Sequence, residues 1–382
     1  MMKRTFLPLV ALALLAYGAQ AASAKVITVD DNGLDCRKAD FNTIQAAVTA
    51  AAPGDTIKVC AGTYVEQVTI PAAKSDLTLR SHTPLAAIIK APPVMVNEKA
   101  IVLVRGAQNV TIDAFTIAGP GGGPCDSIRY GVRIDGGGSA ELSRNHITEI
   151  RDNPFGGCQN GNAIQVGRRA EGQTGRATIT KNQIDRYQKS GVVVDNTGSS
   201  AVIRDNEITG VGPTPTIAQN GIQISRGATA DVQHNEVSQN QFGPQTFASA
   251  GVLVFETNGG VNIEHNILSR NDESVYSDTN TGLVVRHNKI SGSTFDGVGL
   301  ISTTGATVAY NFSEGSGLDG IYVSSDSTDN FITNNQMEGN GDHDAHDDSV
   351  GPRTGGTANT WEKNHCGSPN PENRPGLCSQ NN

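Results

Sequence analysis

The chain has few aromatic side chains, 5% with a single tryptophan, and little charge, 18% with a formal net charge of −9. Nucleic-acid surfaces need a basic stripe to replace the counterions of the phosphates, so an acidic chain argues against that partner. No run of about eighteen apolar residues occurs, and no membrane span is expected. No C-x-x-C pair occurs among the six cysteines, which leaves thiolate metal centres without their usual spacing. An amphipathic helical period is missing from about residue 55 to the end. Short aliphatic runs broken by Gly, Asn, Asp and Ser take its place, the pattern of strands and turns.

Those runs repeat. The frame aliphatic, two variable residues, Asn, one variable residue, aliphatic puts Asn145, Asn182, Asn206, Asn235, Asn266, Asn288, Asn311, Asn335 and Asn364 in one slot, at spacings of 22 to 37 residues, with Phe115 in the slot of an earlier copy. A second element keeps step with it: GVRI at 131, GVVV at 191, GIQI at 221, GVLV at 251, GVGL at 297 and GIYV at 320, with weaker copies at 162 and 274. Self-similarity at this period signals a solenoid or array, and each repeat reads as two short strands. Asn tolerates the left-handed backbone of a sharp corner. Stacked coil upon coil about 4.8 Å apart, its amides can bond along the row.

The N-terminus has Lys3 and Arg4, the apolar run FLPLVALALLA and then small residues, an export signal cut after Ala24 or Ala21. Six cysteines in an exported chain imply disulfides. Contacts in a solenoid run to adjacent repeats, which favours Cys36 with Cys60, Cys125 with Cys158 and Cys366 with Cys378.

The paired strands, the Asn row and the opening FNTIQAAVTAAAPGDTIKVCAGTYVEQVTI resemble the secreted right-handed parallel β-helix repeat proteins of the pectate-lyase-like superfamily. The resemblance implies an all-β, single-stranded right-handed parallel β-helix with a short N-terminal capping α-helix. Asn42 or Thr43 suits its cap, and Ile44, Ala47 and Val48 its buried face. The division that follows is an export signal over 1–24, an N-terminal strand and capping helix over 25–52, the β-helix over 53–366 and a disulfide-closed tail over 367–382, with Trp361 as the plug of the last coil. A monomer is expected. The superfamily contains lyases, hydrolases, epimerases and members without known activity, so function must be sought in the outward rows.

In GVRI and its copies the residue between the two aliphatics points outward. That row runs Arg133, Gln165, Val193, Gln223, Leu253, Tyr276, Gly299 and Tyr322. Tyr276 and Tyr322 suit stacking against sugar rings. Between Arg129 and Arg204 there are eleven Lys and Arg against seven Asp and Glu. Arg133, Arg168, Arg169 and Lys189, with Gln165 and Gln223, can therefore meet the carboxylates of a polyuronate, and Asp135 or Asp195 can hold calcium. Asp296 and Asp319 precede the Gly of neighbouring copies. Two carboxylates so close repel, and one keeps its proton to higher pH, as a general acid must.

His234, His265 and His287 precede the repeat Asn in three successive copies and offer imidazoles in register to copper or zinc. One related family is the periplasmic β-helix associated with copper-site maturation in nitrous oxide reductase. The stretch DHDAHDD at 342–348 is either a chelating loop or an acidic surface loop. Two classes of function stay open. One is an exported protein that binds, and cleaves or modifies, a polysaccharide along its sheet; the other is a non-catalytic binding or scaffold protein, with metal handling as its sharper form.

Overall fold

The computed structural model describes residues 24–367 and 369–379, so all but the last residue of the expected export signal lies outside the described residues. The chain winds through coils whose strands form three sheets of 13, 12 and 11 strands, each strand pairing in parallel with its counterparts one coil away. The first sheet runs from Val26–Val29 to Thr360–Glu362, the second from Gly62–Val65 to His365–Cys366, and the third from Val68–Pro71 to Ala345–Asp347. A central coil shows the order: Tyr130–Asp135 in the third sheet, Gly138–Ser143 in the first, His146–Thr148 in the second. Each repeat therefore holds three strands rather than the two expected. The extra strand, three residues long in this coil, follows directly on the Asn, too short to show its own alternation.

Inward residues stack into continuous rows. In the first sheet Leu142, Ile179, Ile203, Val232 and Ile263 are in register, and the row ends on Trp361, whose indole N–H donates to Asp347 Oδ2 at 2.8 Å. Trp361 is buried in the last strand of the first sheet, while the helix Ile44–Ala50 packs on the first coil. Thr43 is the N-cap, accepting the Ala46 N–H, and Ile44, Ala47 and Val48 are buried. All three expected disulfides are formed.

The nine Asn side chains line one corner and are at most 2% exposed. From Asn145 to Asn335, each donates its backbone N–H and its amide Nδ2 to Oδ1 of the Asn one coil later, at 2.9–3.1 Å. Nδ2 also reaches a carbonyl of the preceding coil, as Asn235 does to Ile203. A buried amide left without partners would cost about 1–3 kcal/mol; here the ladder satisfies every coil. One expectation is corrected. The left-handed residue is not the Asn but the one before it, among them Arg144, Lys181, His234, His265, His287 and Tyr310, with φ of 54–57°. That inversion turns the Asn side chain inward and its neighbour outward.

Candidate functional site

The outer face of the third sheet carries the expected row in register: Arg133, Gln165, Val193, Gln223, Leu253, Tyr276, Gly299 and Tyr322, continued by His346. It is not exposed throughout. Arg133 is fully buried because the turn around Glu171 and the segment bearing Glu98 fold over it. Its guanidinium lies 3.3 Å from Glu98 and 2.8 Å from Asp135, and also binds Glu171. The site role expected of Arg133 is thus occupied by three internal carboxylates.

Beside it lies a cleft of about 830 Å³ whose lining includes Gln165, Arg168, Arg169, Lys189, Gln223 and Arg226. Most of these groups are already engaged. Gln165 Nε2 donates to the Gly167 carbonyl and Gln223 to Ser225. Arg168 bonds the Tyr130 hydroxyl, and Arg169 lies 3.1 Å from Glu256. Lys189 has no carboxylate partner among the described residues; its amine donates to the Ala218 carbonyl at 2.7 Å, and burial pushes its pKa down to about 8. The carboxylates offered to calcium are held by guanidinium groups, Asp135 by Arg105 and Arg133 and Asp195 by Arg226.

Three coils further on, the charge reverses. Tyr276 and Tyr322 stand two coils apart with Gly299 between them, leaving a notch one coil wide. A methyl placed on Gly299 would sit 3.4 Å from Glu273 Oε2, 3.6 Å from the Tyr276 ring and 3.9 Å from Asp296 Oδ2. Glu273, Asp296 and Asp319 follow one another one coil apart at the strand starts. Burial, with the negative charge of Asp296, raises the Glu273 pKa well above the usual carboxylate range, and its Oε2 has no hydrogen-bond partner. Burial likewise lifts Asp296 to about 7, although its Oδ1 accepts the Asp319 N–H at 3.0 Å. Asp319 is less free than expected of a catalytic group: Oδ1 accepts the His343 N–H at 2.9 Å and Oδ2 lies 2.9 Å from His346 Nδ1. The hydrogen bond to Asp319 raises the His346 pKa to about 9.

His234, His265 and His287 stack at the Asn corner with ring centroids 5.2 and 4.8 Å apart, and Tyr310 continues the stack at 5.0 Å. The rings are within 15° of parallel, so their nitrogens lie side by side instead of converging on one ion. The expected metal site is not assembled there, and the face is well away from the notch, on another corner of the coil.

The sequence matches the family described as right handed beta helix region over residues 99–280 and 162–337. The chain belongs to that β-helix family. No curated protein sequence matches it. Among solved structures this β-helix protein is similar to a lacto-N-biosidase from Eubacterium ramulus, with TM-score 0.62 and 13% identity, covering 91% of this chain and 67% of that one. It is similar to the mannuronan C-5 epimerase A-module of Azotobacter vinelandii, with TM-score 0.55 and 14% identity over 89% of this chain and 95% of that one. The Dettilon tailspike protein gives TM-score 0.61 at 15% identity, over 91% of this chain and 68% of that one. At such identities the likeness concerns the fold.

Glu273 was missed in the sequence because Ser274 replaces the Gly that marks the row elsewhere. The signal was present: Glu273 precedes Asp296 by 23 residues, as Asp296 precedes Asp319.

Proposed function

We propose that this β-helix protein is exported, binds an acidic polysaccharide along the outer face of its third sheet and cleaves or otherwise modifies it at the notch over Gly299. The observation that carries this reading is the notch itself, a gap between two tyrosine rings floored by the carboxyls of Glu273 and Asp296. The two tyrosines stand one coil away on either side of Gly299, about 4.8 Å each way at the pitch of the coils, a spacing suited to a sugar ring held between them. Glu273, whose pKa burial raises well above the usual carboxylate range, stands where a general acid would protonate a glycosidic oxygen. Asp296 supplies the second carboxyl such cleavage requires. Gln223 and Gly299 are three coils apart, about 14 Å at that pitch, so a chain held at the notch reaches the cleft. There Lys189, which has no carboxylate partner among the described residues, faces its acidic groups. The three disulfides support an oxidising compartment, secreted or periplasmic, and no helix among the described residues is long and apolar enough to cross a membrane.

The test is incubation of the purified protein with a panel of polyuronates and neutral glycans, with and without calcium. Reducing ends indicate hydrolysis and unsaturated ends elimination; either supports the reading when Gly299→Val, which fills the notch at a position of ordinary backbone geometry, abolishes it. Binding without product reduces the protein to a glycan-binding scaffold. No binding to any member sinks the proposal.

A further inference from the structure

Beyond the glycan groove, at the end of the same outward row, four side chains converge. Asp319 comes from one coil, while Asp342, His343 and His346 come from the next, inside the motif DHDAHDD. Each offers a ligand atom, and these atoms all lie within 4.8 Å of one another. We propose that Asp319, Asp342, His343 and His346 form a binding site for a single divalent transition-metal ion of the zinc class.

Two of the separations leave room for an ion in place of a hydrogen bond. His343 Nδ1 is buried without a hydrogen-bond partner, 3.5 Å from Asp342 Oδ1 and 3.7 Å from Asp319 Oδ1. Those gaps are too long for hydrogen bonds. The shorter falls within, and the longer just beyond, the edges of a tetrahedron, about 3.3–3.6 Å when nitrogen and oxygen ligands sit about 2.0–2.2 Å from zinc. His346 turns Nδ1 toward the same point, 2.9 Å from Asp319 Oδ2.

The outer contacts have the form that holds ligands in place. His346 Nε2 lies 3.1 Å from Asp348 Oδ1, the carboxylate–histidine pairing that fixes a ligating imidazole. The Tyr322 hydroxyl steadies that carboxylate through its other oxygen, at 3.3 Å. Asp319 is oriented by the His343 backbone N–H. Two imidazoles among the four ligands select zinc-like ions over calcium or magnesium, which take oxygen ligands. The group formed by Cys125, Asp152 and Cys158 does not compete, since its sulfurs are joined in a disulfide.

The site stands independently of the glycan reading, and its test uses no glycan. The chelator-stripped full-length protein is titrated with zinc chloride by calorimetry, and cobalt(II) is added separately to read visible absorption. The expected result is one ion per chain and cobalt bands of a tetrahedral site, both lost in His343→Ala and in His346→Ala. Asp348→Asn should weaken zinc by about 10–100-fold. The triple variant His234→Ala, His265→Ala, His287→Ala should bind zinc as the parent does. Thermal midpoints measured in chelator establish that the variants are folded, so lost binding cannot be lost structure. Absence of stoichiometric uptake, zinc affinity unchanged in both single His variants, or loss of zinc in the triple variant would each overturn the proposal.

Discussion

The two ends of the third sheet's outer face handle charge in opposite ways. Around Arg133 every guanidinium and carboxylate has an opposite partner: Arg133 with Glu98, Asp135 and Glu171, Arg105 with Asp135, Arg226 with Asp195. Around the notch Glu273 and Asp296 have no Lys or Arg partner among the described residues, and both hold their protons above the usual carboxylate range. A paired charge is already spent on the fold, whereas an unpaired buried carboxyl is retained at a cost to stability and is free to act on something that arrives. Residue type alone cannot make this distinction. Arg133 and Asp296 both looked like site residues, and only the neighbours separate them.

That contrast can be broken most forcefully at Arg133. Arg133→Ala removes one of two guanidinium partners from each of Glu98, Asp135 and Glu171, with Arg105 and Arg168 remaining, and should cost about 1.5–3 kcal/mol, read by denaturant unfolding. A cost near zero would mean the cluster is not structural. The double change Tyr276→Ala, Tyr322→Ala should leave stability close to the parent and weaken glycan binding by about tenfold or more, equivalent to about 1.4 kcal/mol. Unchanged glycan affinity would remove the notch as the site.

Acid and base should loosen different ends. Glu273 has a native pKa above its unfolded value, so its contribution to stability is fully present below about pH 4 and is lost as pH rises through the native value. Glu273→Gln, neutral throughout, should therefore raise the thermal midpoint on the alkaline side and match the parent in acid. The opposite case is Asp126 in the cleft, held at about 2 by its hydrogen bond with Arg129. Its contribution is present above about pH 4 and is lost as pH falls through about 2. Hydrogen exchange followed across pH should show the cleft losing protection in acid; uniform loss along the coils would contradict the contrast. The smallest effect belongs to the imidazole stack, where His265→Ala should change stability by no more than about 0.5 kcal/mol, since the ring is exposed and only neighbouring rings touch its faces.

The period, the parallel coils, the Asn corner, the capping helix and the disulfide partners were legible because a solenoid repeats its local rules, and each copy confirms the last. What was not legible depends on tertiary placement. The left-handed residue was assigned to Asn rather than to its predecessor because both flank the same corner. Arg133 was expected to be open because the turn that covers it lies 38 residues away from it in sequence at Glu171. Gly299 reads as a plain repeat position until the tyrosines on either side are seen to leave space above it.

The C-terminal tail has a bearing on assembly. A parallel β-helix presents raw strand edges at its two ends, each able to take the opposite end of another molecule and grow head to tail without limit. Here residues 371–373 lie along the last strand of the third sheet, where the Ala345 N–H donates to the Pro371 carbonyl and the Asn373 N–H to the Ala345 carbonyl. The Cys366–Cys378 bond fastens that segment to the coil it covers. The disulfide thus helps hold the segment on that edge, and reduction is expected to leave the backbone of Ala345–Asp347 less protected.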